Sequence, residues 1–132
     1  MKLSALLAIA AIVAVAFGVG FVVVSGPLLA LYGVTLDKAG TLIAQLFGAA
    51  LIGLGVINWS ARSAPDEGRF VVLGNLVGDA AGFVVALLGQ LAGVANALGW
   101  STVALYLVLG LAFAYFQFMA PSSSAARMPS RS

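Results

Sequence analysis

This sequence predicts an all-α, polytopic membrane protein: a four-transmembrane-helix bundle with a short interfacial helix after the first span. Three observations predict it. Of 132 residues, 63% are hydrophobic and 8% charged, whereas an ordinary soluble domain carries about 25% charged residues. The apolar residues gather into four stretches, each near the roughly 20 residues that a helix needs to cross a hydrocarbon core. Turn-forming residues separate all four.

The first span, Leu3–Val24, stops at Ser25-Gly26-Pro27. Its beginning imitates a secretory signal, with Lys2 ahead of an apolar run and a small-x-small pattern at Ala14-Val15-Ala16. The run continues through Phe21-Val22-Val23-Val24, a full span instead of the shorter core of a signal, so the segment is expected to be retained. In the following connection, Pro27 to Gly33 has proline at a helix start and glycine at its stop, which predicts the short interfacial helix. Ala39-Gly40 precedes the second span, Thr41–Trp59, and Ser60 to Gly68 follow it. The third span is Phe70–Leu91. Gly93 to Ser101 separate it from the fourth, Thr102–Met119. Residues 1–119 therefore form the transmembrane domain, and residues 120–132, with little to bury, are expected to be a flexible cytoplasmic tail.

Four spans put Lys2, Arg62, Arg69, Arg127 and Arg131 on one membrane face and Lys38 alone on the other. By the positive-inside rule both termini face the cytoplasm. Trp59, Trp100, Tyr32 and Tyr115 fall near span ends, where amphipathic rings favour the interface. Asp66-Glu67, with Arg62 and Arg69, reads as a solvated loop whose charges balance.

Composition also removes chemistry. With no Cys and no His, the chain has no disulfide, thiolate metal site, bis-His haem, imidazole relay or His-dependent triad. No metal and no cofactor are expected. Gly18-Val19-Gly20 and Gly53-Leu54-Gly55 lie inside apolar helices, without the strand context or Lys-Ser/Thr ending of a nucleotide loop. Nothing points to nucleic acid.

Helical periodicity assigns the faces. In the third span Asn75, Asp79, Gly82, Ala86 and Gln90 share a stripe, with Gly74, Gly78 and Gly89 beside it and bulky residues such as Leu76, Phe83 and Leu87 opposite. Gly74-xxx-Gly78-xxx-Gly82 would admit another backbone at close range, within the chain or in a homo-oligomer, so these three are the candidate helix-packing residues. The second span turns Thr41, Gln45, Gly48, Ala49 and Gly55 to one side, and the fourth turns Thr102, Tyr106, Gly110, Phe113 and Gln117. The first has Ala10-xxx-Ala14-xxx-Gly18, suited to close packing and bare of polar chemistry.

Asp79 is the residue that most needs explaining. A carboxylate at the centre of a spanning helix costs roughly 2.5–3.5 kcal/mol on insertion scales, so an intramembrane acid is by default a functional candidate. Arg69 lies ten positions away in the same helix, about 15 Å along the axis and out of reach of a direct pair. The candidate polar site is therefore Asp79 with Asn75, Gln45 and Tyr106, joined by Gln90 or Gln117. A structural role also fits: a neutral Asp79 donating to Gln45, Asn75 or a backbone carbonyl, fastening the bundle by about 1 kcal/mol. The functional role is a protonatable or ligand-binding carboxylate on a wet cavity. A catalytic acid would need a second reacting group at matched geometry, and none is visible, so catalysis is not expected.

Pro27-Leu28-Leu29-Ala30-Leu31-Tyr32-Gly33-Val34, Leu46-Phe47-Gly48-Ala49-Ala50-Leu51 and the four short spans together resemble the small bacterial DoxX-like membrane proteins, over about residues 3–119. The resemblance implies a four-helix protein of a bacterial inner membrane. Some relatives are linked to quinone-associated oxidoreductase complexes, but this sequence offers no redox ligand and no catalytic residue is carried over. Three functions follow as expectations. The first is a non-catalytic accessory or assembly subunit that meets itself or another membrane protein through glycine-rich faces. The alternative is a small proton- or cation-linked transporter using Asp79. Third comes a subunit of a quinone-associated complex. The lipid bilayer is the partner common to all three.

Overall fold

The computed structural model describes residues 2–64 and 68–119. These form four α-helices, α1 (Leu3–Ala30), α2 (Lys38–Ala61), α3 (Arg69–Leu91) and α4 (Gly99–Ala114), the last continued by a π-helical turn over Tyr115–Met119. All four are long and apolar enough to cross a membrane, α4 when counted through its continuation. No strand occurs among the described residues. The expected tail at 120–132 and the acidic pair Asp66-Glu67 lie outside the described residues.

The first span and the short helix after it are one continuous element broken by a kink. Val24 leaves helical geometry (φ −134°, ψ 43°), because Pro27, three residues on, has no N–H to give the carbonyl of Val23. The segment beyond the kink ends at Gly33, whose φ of +74° suits glycine. There Val34 N–H donates to Leu29 and Gly33 N–H to Ala30, the paired bonds of a Schellman stop. Helix α3 ends the same way, with Gly93 at φ +75° and Val94 and Gly93 donating to Gly89 and Gln90. Helix α2 begins about a turn earlier than Thr41 because Asp37 caps it, its carboxylate accepting from Gly40 N–H at 2.7 Å.

Packing divides the bundle into two antiparallel hairpins, α1 with α2 and α3 with α4, with much lighter contact between the hairpins, that of α2 with α3 included. In the first hairpin the backbones nearly touch. A Cβ added to Gly18 would stand 2.7 Å from the Gly48 carbonyl oxygen, and one on Gly55 would stand 3.0 Å from that of Ala11. Ala10, Ala14 and Gly18 of α1 are buried, as are Ala44, Gly48 and Gly55 of α2. Small residues allow this approach, and the gain is dispersion contact along the whole hairpin.

The hairpins meet at the end that carries both Lys2 and Arg69. Leu6, Leu7 and Ala10 of α1, Ala61 of α2, Val72 of α3 and Phe113 of α4 form one buried cluster there. Arg62 stacks over the Trp59 ring at 3.7 Å beside it. At the opposite end Asn96, in the α3–α4 loop, ties the two loops together. Its N–H donates to the Tyr32 carbonyl at 2.9 Å and its side-chain amide to the Leu31 carbonyl at 3.1 Å. Large apolar side chains elsewhere face outward, among them Ile43, Val77, Val85, Leu88 and Phe70, the last 82% exposed.

Candidate functional site

Between the closed end and the Asn96 clasp, the two hairpins separate around a cavity of about 470 Å³. Its floor is an amide pair. Asn58 of α2 donates to Asn75 Oδ1 at 3.0 Å, Asn75 donates back to Asn58 Oδ1 at 2.7 Å, and Asn75 also donates to the Val71 carbonyl at 2.8 Å. Both residues are buried. The two bonds close a ring that spans the weak α2–α3 contact, and a satisfied amide pair is how an apolar interior tolerates two polar side chains.

Asp79 lies one turn beyond Asn75 along α3, about 6 Å further from the floor, and lines the same cavity. The α3–α4 register places it against Gly110, where an added Cβ would stand 3.5 Å from Asp79 Cβ. One turn on, the Tyr106 ring of α4 lies directly over Gly82 of α3, and near the loop Gln90 of α3 meets Gly99 of α4. Three polar side chains of this hairpin are thus each seated on a glycine of the opposite helix. Glycine at these positions leaves room for the side chain without separating the helices.

Asp79 carries an unmet demand. Its Oδ2 is buried and has no hydrogen-bond partner among the described residues, although buried polar atoms are overwhelmingly paired. Asn75 spends its amide on Asn58 and Val71. Gln45 does not reach the site: it is exposed, outside the cavity lining, and makes a long 3.4 Å contact to the Val22 carbonyl. The reason is register, since the Gly18–Gly48 crossing sets Gln45 beside the α1 backbone and turns it from α3.

The glycine face of α3 also differs from its expected use. Gly82 is in contact, but with the Tyr106 ring instead of a backbone, and an added Cβ on Gly74 or Gly78 would meet nothing within 4 Å. Both open onto the cavity. Close backbone approach occurs at Gly18, Gly48 and Gly55 in the other hairpin. Gln90 lines the cavity near its loop end, donating to the Asn96 carbonyl at 2.9 Å. Gln117 stands apart in the terminal π-helical turn, its Oε1 buried and without a partner among the described residues. Asn58 is the site residue that the expected polar set lacks. Its signal in the sequence is its place three positions after Gly55, beside the edge of the small-residue stripe.

The remaining walls are apolar and aromatic. Phe17 and Phe21 of α1, Phe47 and Leu54 of α2, and Leu105 of α4 line the cavity together with Tyr32 and Tyr106. No group of three metal-ligating side chains occurs among the described residues. A roomy apolar chamber with a few convergent polar groups is the usual form of a small-molecule site. No protein-family model, no curated protein and no solved structure matches the chain.

Proposed function

We propose that this chain is an integral membrane protein, crossing a bacterial inner membrane four times with both termini cytoplasmic, and that it works as a small proton- or cation-linked transporter with Asp79 as its binding carboxyl. One observation carries the reading: Asp79 lines a chamber between two hairpins with a buried oxygen that no described residue satisfies. A fastening residue would be bonded across the bundle, and that task falls to Asn58 and Asn75. Acids lining cavities within apolar spans mark proton and ion pathways. The four apolar helices support membrane insertion, and the cation distribution supports the orientation. The architecture is compatible with the DoxX-like resemblance, which rests on the motifs at Pro27–Val34 and Leu46–Leu51.

The test is flux. Wild-type and Asp79→Asn protein are reconstituted into liposomes with a pH-sensitive dye inside, and a proton gradient is imposed. Asp79→Asn should abolish the protein-dependent dissipation. Equal flux from both would reject the role.

A second reading, an accessory or assembly subunit, draws support from the open space over Gly74 and Gly78, where a partner's side chains would fit. Under it Gly78→Leu should break co-purification with a partner membrane protein, and an intact complex would exclude that contact.

A further inference from the structure

We propose that the cavity takes a lipophilic monocation, an aromatic ammonium or phosphonium compound, held by pairing with Asp79 and by the aromatic wall of the opposite hairpin. The proposal rests on Asp79 being a binding carboxyl and adds what it binds.

Charge comes first. No Lys or Arg among the described residues lines the cavity, and the described cations Lys2, Lys38, Arg62 and Arg69 all stand at helix ends or just beyond them. An ionised Asp79 is therefore a part-buried charge with no counter-ion among the described residues, and such a charge is tolerated when a partner of opposite sign arrives with good geometry. A ligand cation supplies that partner, and a ligand anion would face repulsion with nothing to offset it.

Shape narrows the class further. A proton needs no chamber of about 470 Å³, and a hard divalent cation is held by six or more oxygens, several of them carboxylate as a rule, whereas Asp79 is the one carboxylate among the described lining residues. The volume lies in the range of roughly 300–1,000 Å³ typical of small-molecule sites. Open space over Gly74 and Gly78 supplies part of that room.

The aromatic wall supplies the third match. Phe21 meets Phe47 edge to face at 5.3 Å and lies 6.5 Å from Phe17, and all three line the cavity from the hairpin that lacks Asp79. Ring faces attract a cation through their quadrupole and also bury its apolar substituents. One wall then meets the ligand's charge with a carboxylate and the other meets it with aromatic rings.

Two probe ions of matched size and opposite charge, tetraphenylphosphonium and tetraphenylborate, test this with the purified full chain in neutral detergent, using equilibrium dialysis. Tetraphenylphosphonium should bind, with affinity at least about tenfold weaker in Asp79→Asn and largely kept in Asp79→Glu, which preserves the charge. Tetraphenylborate should bind more weakly than the cation to wild type and gain, or stay the same, in Asp79→Asn. Gly78→Leu, whose side chain enters the cavity, should weaken tetraphenylphosphonium while leaving the helical signal in circular dichroism intact. Equal affinity for both ions, absence of tetraphenylphosphonium binding to folded wild type, or binding indifferent to Asp79→Asn would each overturn the proposal. If Asp79→Asn removes proton flux but the phosphonium does not bind, this assignment fails and the transporter reading stands. If the phosphonium binds through Asp79 without any flux, the reverse holds.

Discussion

Asp79 of α3 sits on Gly110 of α4, with 3.5 Å between its Cβ and the position a Cβ would take on that glycine. The same antiparallel register seats Tyr106 on Gly82 and brings Gln90 to Gly99. The carboxyl is thus anchored at its base by helix packing while Oδ2 has no partner among the described residues. A side chain fixed at its root needs little further ordering when it takes up a partner.

Gly82 and Gly78 occupy neighbouring turns of α3 and should respond in opposite ways to the same change. A Cβ on Gly82 would run into the Tyr106 ring, whereas one on Gly78 meets nothing within 4 Å. Gly82→Ala should therefore lower stability by about 1–3 kcal/mol through overpacking, and Gly78→Ala should leave it nearly unchanged or raise it slightly through helix propensity. Thermal unfolding of the two variants in detergent, followed at 222 nm, checks the contrast. Equal melting temperatures would contradict the α3–α4 register.

The Asn58–Asn75 ring should behave as a unit. Asn58→Leu leaves the Asn75 amide with its Val71 bond alone and its carbonyl oxygen unpaired, at a cost of about 1–2 kcal/mol. Asn58→Leu combined with Asn75→Leu should cost less than the sum of the single changes, because the second removes the group stranded by the first. A double-mutant cycle from unfolding in a denaturing detergent measures this. Strict additivity would show the amides to be independent.

Gly48 is expected to be the least replaceable glycine of the first hairpin. A Cβ there would stand 2.6 Å from the Gly18 carbonyl oxygen and 2.8 Å from Phe21 Cβ, and backbone offers no side-chain rotation as relief. Gly48→Leu should force α1 and α2 apart and displace Phe21 from the cavity wall. Loss of the folded, monodisperse species on size exclusion is the expected outcome, and a normal elution profile with unchanged melting would refute the crossing point.

Hydropathy is a local property, and so the four helices, the stop near Val24 with its short helical sequel, and the glycine at position 33 could be read along the chain. Periodicity within a single helix likewise turned Asp79, Asn75 and Tyr106 off the bulky faces. Which stripe meets which is a different kind of fact. Gln45 and Asn58 stand about 140° apart around α2, and the crossing at Gly18 and Gly48 gives Gln45 to the α1 backbone and Asn58 to Asn75. Gly74 and Gly78 have the spacing of a packing motif, yet the hairpins part beside them and they border a cavity. Small residues permit close approach without compelling it. The outcome depends on long-range register and on how two hairpins lean against each other, quantities that no single helix encodes.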